Sequence, residues 1–183
     1  MNVRTGPAVV MGVGNVLLRD DGVGPRIVRE LEAMCARDPL ADPRGTRFVD
    51  GGTLGLDLIQ ALRGARSLLL VDAVNLGQRA GAISVLHGDA IMAVGGRGAG
   101  SVPGSVGELL AVARLMGWLP DPVALVAIQV GDTGFGSGLS DSVEAAVPEA
   151  VMVVRRELRA LDELVAAGCP ARPVMGRQGE ATA

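Results

Sequence analysis

The chain has 183 residues, of which 49% are hydrophobic and 20% charged, and its formal net charge is −3. This length predicts one domain with a core of its own, and the scattered, mildly acidic charge argues against a nucleic-acid-binding surface. All 17 basic residues are arginines, tyrosine is absent and histidine occurs once. Chemistry that needs a lysine or two histidines is therefore excluded, and two cysteines are too few for a zinc cluster.

The amino-terminal stretch carries no pattern of export or membrane insertion. The apolar run 8–13 is too short and too glycine-bounded for a signal peptide. No segment approaches the ~18 uncharged apolar residues of a membrane span. We therefore predict a soluble, cytoplasmic protein without a membrane or nucleic-acid partner.

Short apolar runs alternate with helical patterns, which predicts an α/β domain with a largely parallel sheet. The predicted strands are 8–13, 47–49, 67–71, 82–86 (an edge strand) and 123–130, and the predicted helices are 23–34, 55–62, 105–116 and a long final helix capped by Ser140. Pro148 predicts a kink or a restart within that final helix. Residues 94–104 are expected to form a loop, and residues 168–183 a disordered tail.

Acidic residues follow three of the predicted strands. Asp20 and Asp21 lie in the loop after the first strand, Asp50 ends the second and Asp72 ends the third. Ligands of open parallel sheets bind outside the carboxyl ends of the strands, so these side chains are expected to converge on one crevice. Any single aspartate there could instead cap a helix, Asp21 in particular. Several carboxylates brought together repel one another, and a divalent cation would relieve that repulsion, which favours a metal site.

Two other motifs are less informative. The stretch Gly12–Asn15 has the position of a dinucleotide fingerprint, but the third glycine is replaced by Leu17 and the acids that follow would repel a pyrophosphate. A nucleotide-binding oxidoreductase is therefore disfavoured. His87 is interpreted as a surface histidine in a turn, because the chain has no G-x-S-x-G elbow that would supply a nucleophilic serine.

Taken together, these segments resemble the sequence motifs of one family, the hydrogenase maturation proteases. The stretch Gly12–Gly24 (GVGNVLLRDDGVG) closely resembles the opening motif of that family. Its second and third motifs are similar to Asp50–Gly55 (DGGTLG) and Leu70–Val74 (LVDAV), the latter followed by Gly77 and Gly81. The final strand ending in Ile128-Gln129, with Gly138–Ser140 after it, is similar too. The match covers about residues 8–162 in the order of the family.

The resemblance implies a three-layer α/β sandwich: a twisted, mostly parallel sheet of about five strands with helices on both faces, in a single peptidase-like domain over 1–167. It also implies an endopeptidase that removes a C-terminal extension from the precursor of a nickel–iron hydrogenase large subunit after nickel insertion. The nickel would come with the substrate. In the family, nickel is contacted by an acid of the first motif and an aspartate after the third strand, which correspond here to Asp21 and Asp72.

The third nickel contact of the family, a histidine before the third helix, corresponds to Val102, which cannot ligate a metal. Three possibilities remain open. The site could use Asp21 and Asp72 with water or Asp50, it could be completed by the substrate, or the chain could be a non-catalytic relative that binds or chaperones a metalloprotein precursor. We assign Asp50 to positioning the substrate, since the glycines after it let a peptide backbone approach closely.

Overall fold

The computed structural model describes residues 5–38, 45–53, 55–95 and 106–168. The strands in these ranges are β1 (Ala8–Val13), β2 (Thr46–Gly52), β3 (Ser67–Val74), β4 (Ile83–His87) and β5 (Val123–Gln129). The α-helices are α1 (Val23–Arg37), α2 (Asp89–Gly95), α3 (Val106–Leu115) and α4 (Asp141–Ala166). Two 3₁₀ helices, Arg19–Gly22 and Gly55–Leu62, follow β1 and β2. No helix within the described ranges is long and apolar enough to cross a membrane.

The five strands form one sheet in the order β2-β1-β3-β5-β4. The first four strands of this order run parallel, and β4 is antiparallel to β5 at the edge. The central strands β1, β3 and β5 are buried almost along their whole length, whereas β4 is half-buried throughout. Continuous apolar runs are typical of parallel strands covered on both faces. The prediction of a mostly parallel, five-stranded sheet is confirmed.

Helices cover both faces of the sheet and form two hydrophobic cores. Because side chains alternate along a strand, Leu69 and Val71 of β3 pack with α1 and α4, while Leu68 and Leu70 pack on the other face with α3 and the 3₁₀ helix Gly55–Leu62. The three-layer sandwich is thereby confirmed.

The structure corrects two details of the sequence interpretation. Helix α4 continues through Pro148 without a restart, since a proline removes one intrahelical hydrogen bond while Val147 and Val151 are buried on either side of it. Helix α2 was not predicted, and it occupies the first residues of the expected loop at 94–104. The rest of that loop, and the tail 168–183 except Gly168, lie outside the described residues.

The start of α1 packs directly against the sheet because Gly24 has no side chain. A Cβ added to Gly24 would lie within 3 Å of the carbonyl oxygens of Val13, at the end of β1, and of Val71, in the neighbouring strand β3. This close approach brings the loop between β1 and α1 over the carboxyl edge of the sheet.

We expect the substitution Gly24→Ala to lower the free energy of unfolding by about 1–3 kcal/mol, because the added methyl group overpacks backbone that cannot move independently. Urea denaturation measures the change. The control is Ala33→Ser, which adds one atom on the exposed side of the same helix and should change stability by less than about 0.5 kcal/mol. Equal stability of the two variants would contradict the close packing described here.

Candidate functional site

The strand order reverses between β1 and β3, which makes their carboxyl ends the expected ligand crevice of this sheet. The chain leaves β1 through α1 to reach β2 on one side, whereas β3 lies on the other side of β1. Asp21 lies in the 3₁₀ helix that follows β1, and Asp72 lies near the carboxyl end of β3. These two acids therefore flank the point of reversal.

The Asp21 carboxylate is held by the backbone of its own loop. The backbone N–H of Asn15 donates to Oδ2 of Asp21 at 2.7 Å. Gly14, with a φ of 134°, lets the loop fold back closely onto the Asp21 backbone. The N-cap of α1 is Gly22, and no side chain caps that helix. Asp21 is therefore fixed in the loop and does not serve as the helix cap considered from the sequence.

Asp72 is a carboxyl group in an environment that disfavours its charge. Burial raises the pKa of Asp72, and the negative charge of Asp21 raises it further, to about 7, against the opposing hydrogen bond from the backbone N–H of Ala73. The two acids are thus close enough to interact electrostatically. Perturbed carboxyl groups in a crevice are typical of functional sites, and a cation placed beside both would offset the repulsion.

The raised pKa of Asp72 predicts a pH-dependent effect on stability. Between about pH 4 and pH 7 the folded protein holds a proton on Asp72 that the unfolded chain has lost, so this group lowers stability as the pH rises. The substitution Asp72→Asn should therefore raise the melting temperature by about 4 °C at pH 8, with little change at pH 4. Thermal unfolding of both proteins at the two pH values measures this, and a variant less stable than wild type at pH 8 would contradict it.

The neighbouring acid, Asp20, has a different environment. Its side chain is fully buried and accepts four hydrogen bonds from the loop before α4. The donors are the backbone N–H groups of Gly131 (2.8 Å), Asp132 (2.8 Å) and Ser140 (2.6 Å) and the hydroxyl of Ser140 (2.9 Å). Burial alone would raise the pKa of Asp20, but these donors outweigh it and hold the pKa below its usual value. Asp20 therefore connects the loop between β1 and α1 to the loop between β5 and α4.

Asp20→Asn tests this joint. In this variant the side-chain amide nitrogen, which cannot accept a hydrogen bond, would face a backbone N–H group. We therefore expect a loss of about 2–3 kcal/mol of unfolding free energy at pH 7. Because the pKa of Asp20 is lowered in the fold, the wild-type advantage is present above the unfolded pKa and disappears as the pH falls through the folded one. Asp132→Asn, in an exposed pair with Arg19, is the matched control and should cost less than about 1 kcal/mol. Chemical denaturation at pH 7 and pH 3 distinguishes the two, and equal losses would refute the assignment.

The carboxylate of Asp50 binds an arginine of α1. Its Oδ2 accepts hydrogen bonds from Nε (2.9 Å) and Nη2 (2.6 Å) of Arg29 on α1. Phe48, two residues earlier on β2, also packs on the α1 side, whereas Leu70, two residues before Asp72, packs on the opposite side. Alternation along the strands thus assigns Asp50 and Asp72 to opposite faces of the sheet. The structure relates Asp21 to Asp72 and pairs Asp50 with Arg29, and the role of Asp50 in positioning substrate stays a prediction.

The buried side chain of Gln129, at the end of β5, orders the loop that follows Asp72. Its Oε1 accepts from the backbone N–H groups of Leu76 (2.7 Å) and Gln78 (3.2 Å), and its Nε2 donates to Oδ1 of Asn75 (3.2 Å) and to the carbonyl of Val130 (3.0 Å). The sequence motif containing Gln129 resembled the family, but only its burial at a strand end reveals this function.

His87 lies far from the crevice. It ends the antiparallel strand β4 and pairs in register with Ala124, near the amino end of β5, and its Nε2 is 3.7 Å from Oε2 of Glu157. Within the described ranges no group of three or more histidine, cysteine, aspartate or glutamate side chains could hold a metal ion. Val102 lies outside those ranges.

Known proteins resemble this chain in both fold and sequence. A solved structure of the hydrogenase maturating endopeptidase HybD from Escherichia coli superimposes with a TM-score of 0.68 at 25% identity, over 92% of this chain and 98% of that one. HupD from Rhodobacter capsulatus, a hydrogenase expression/formation protein, is 32% identical over 154 residues, which are 83% of this chain and 71% of that protein. The hydrogenase 2 maturation protease of Escherichia coli K12 is 28% identical over 152 residues, 82% and 90% of the two chains.

The class that this fold and these sequence similarities indicate is thus a family of α/β proteases. A family model described as hydrogenase maturation protease matches residues 25–157. The chain belongs to the hydrogenase maturation protease family, as its motifs predicted.

Proposed function

We propose that this protein is an endopeptidase that acts in the cytoplasm on the precursor of a nickel–iron hydrogenase large subunit and removes its C-terminal extension. Asp21 and Asp72 are the residues that contact nickel carried by the precursor. The observation that carries this proposal is the pair of interacting carboxyl groups at the β1–β3 reversal, one of which has its pKa raised to about 7 by burial and by the other. Family membership supports the reaction class.

Nickel fits this reaction as part of the substrate. Two carboxylates are fewer donors than a resident metal site uses, and the described residues supply no third acid, histidine or cysteine within reach. Cysteines of the precursor would complete the coordination. Nickel held there would polarise the scissile carbonyl or activate water, and a precursor without nickel would supply no cation to offset the repulsion between the ionised acids. The metal therefore acts as a checkpoint for cleavage.

The residues of this chain prepare the crevice. The backbone of Asn15 fixes Asp21, and Asp72, which is half-buried, would release its proton when the cation of the loaded precursor binds. Protonation of Asp72 near neutrality keeps the empty crevice from holding two full negative charges. We propose that Asp50, held by Arg29 on the α1 side of the sheet edge, contacts a part of the substrate chain away from the Asp21–Asp72 pair.

A second function is favoured by one observation. The residue at the position of the family's histidine is Val102, so the chain could bind or chaperone a metalloprotein precursor without cutting it. In that case Asp21 would still contribute to binding.

Mass spectrometry of a nickel-loaded precursor incubated with the protein tests both functions. We expect wild type to shorten the precursor, and Asp21→Ala and Asp72→Ala to slow cleavage by about 100-fold or more, because metal polarisation of the carbonyl supplies several kcal/mol. Val102→His should leave the rate unchanged or raise it, since a third donor tightens metal capture. Asp50→Asn should slow processing if Asp50 positions the substrate.

The metal-free precursor is the control and should stay intact with every variant. Binding of an uncut precursor by wild type, weakened by Asp21→Ala, would establish the second function. Cleavage at the wild-type rate by Asp21→Ala would refute the carboxylate–metal mechanism altogether.

A further inference from the structure

Three large apolar side chains lie exposed beside the crevice. Val16, Leu17 and Phe135 are 44%, 54% and 84% exposed. They belong to two loops that are more than 100 residues apart in the chain. We call these three residues the apolar lip.

Backbone pairing brings the two loops together. Leu18 and Gly136 form a parallel bridge: the N–H of Gly136 donates to the carbonyl of Leu17 at 2.8 Å, and the N–H of Arg19 donates to the carbonyl of Gly136 at 3.1 Å. Leu17 and Phe135 each precede a bridged residue, so they are neighbours on the same side of this pairing.

Hydrogen bonds to Asp20 hold the loop that carries Phe135. The buried carboxylate of Asp20 accepts all four of its hydrogen bonds from residues that flank Phe135 in the chain, and its backbone N–H donates to the carbonyl of Asp132 at 3.1 Å. Four charge-assisted or hydroxyl hydrogen bonds hold this loop more firmly than an ordinary surface turn. The buried carboxylate of Asp20 therefore holds a loop that exposes an apolar side chain, Phe135, to solvent.

The lip is continuous with the crevice. The backbone N–H of Asn15, the residue before Val16, binds the Asp21 carboxylate, and the N–H of Asp21 donates to the carbonyl of Leu18 at 3.0 Å. A polypeptide chain whose scissile bond lies at Asp21 would thus place its neighbouring residues against the lip.

The small area of the apolar lip indicates what kind of molecule binds there. A stable interface between two copies of this chain needs more than about 1,000 Å² of buried surface, whereas even aromatic side chains bury only about 150–250 Å² each. The exposed ion pair of Arg19 and Asp132 borders the lip with charge, as in the polar rim of a small protein interface. These features fit a few apolar side chains of one extended peptide segment.

We propose that the apolar lip is a specificity subsite that binds apolar residues of the precursor polypeptide next to its cleavage point. This inference rests on the proposed function. It adds that recognition depends on the side chains that flank the scissile bond as well as on the metal.

The experiment compares Leu17→Ala and Phe135→Ala with wild type, using a fluorescently labelled nickel-loaded precursor. Affinity is measured by anisotropy, and cleavage as separate kcat and KM. We expect each variant to weaken binding and raise KM by about tenfold, as expected for removing a partly buried apolar contact, with kcat within about twofold. Replacing the apolar residues beside the cleavage point of the precursor by serine should have the same effect on wild type and little further effect on Phe135→Ala.

Leu115→Ala is the matched control, since Leu115 is 87% exposed at the end of α3, and it should bind and cleave as wild type does. Cleavage by wild type with unchanged KM in both lip variants overturns the lip proposal while the proposed function stands. Binding without cleavage, weakened tenfold by the lip variants, supports the lip and overturns the endopeptidase. A wild type that neither binds nor cleaves overturns both. A dimer dispersed by Phe135→Ala with unchanged precursor affinity assigns the lip to a second copy and overturns the proposal.

Discussion

The buried carboxylate of Asp20 joins the two loops on which the crevice depends. One loop follows β1 and carries Asp21, and the other connects β5 to α4 and carries Phe135. A charge removed from water is stable only when donors surround it, and Asp20 meets this condition with three backbone N–H groups and one hydroxyl. Because these donors come from a segment more than 100 residues later, the geometry around Asp21 is set by tertiary structure.

The environment of Asp72 has the opposite effect, because it raises the pKa of the carboxyl group. Burial and a neighbouring like charge disfavour its ionised form. The side chain therefore reduces the stability of the empty protein near neutral pH. Such a cost is typical of a site prepared for a ligand that arrives later, and here a cation bound to the precursor is the ligand that would remove it.

The sequence predicts the strands well because their signals are local. Continuous apolar runs in β1, β3 and β5 identified the buried strands of the sheet, and the family resemblance implied a twisted, mostly parallel sheet of about five strands. Helix α4 crosses Pro148 because burial on both sides of that residue outweighs one lost hydrogen bond, and such burial is a property of the folded chain.

The site was harder to predict for the same reason. Residue type alone does not distinguish Asp20 from Asp21, and the family resemblance selected Asp21. Only the positions of Gly131 and Ser140 assign Asp20 to a structural joint. Asp50 was expected in the same crevice, yet residue alternation on β2 and the nearby Arg29 direct its carboxylate to the α1 side. A strand end predicts the edge of the sheet that a residue reaches, but its face depends on register.

The adjacency of the two aspartates has a consequence for how this loop can change in evolution. Asp20 faces inward to its donors while Asp21 turns towards Asn15 and the crevice. Two consecutive residues therefore direct their carboxylates to different places. A one-residue insertion between Gly14 and Asp20 would move the carboxylate of Asp20 to the position of Asp21, beside the crevice. Most surface loops drift freely in length. The length of this loop is instead constrained by the separate contacts of Asp20 and Asp21.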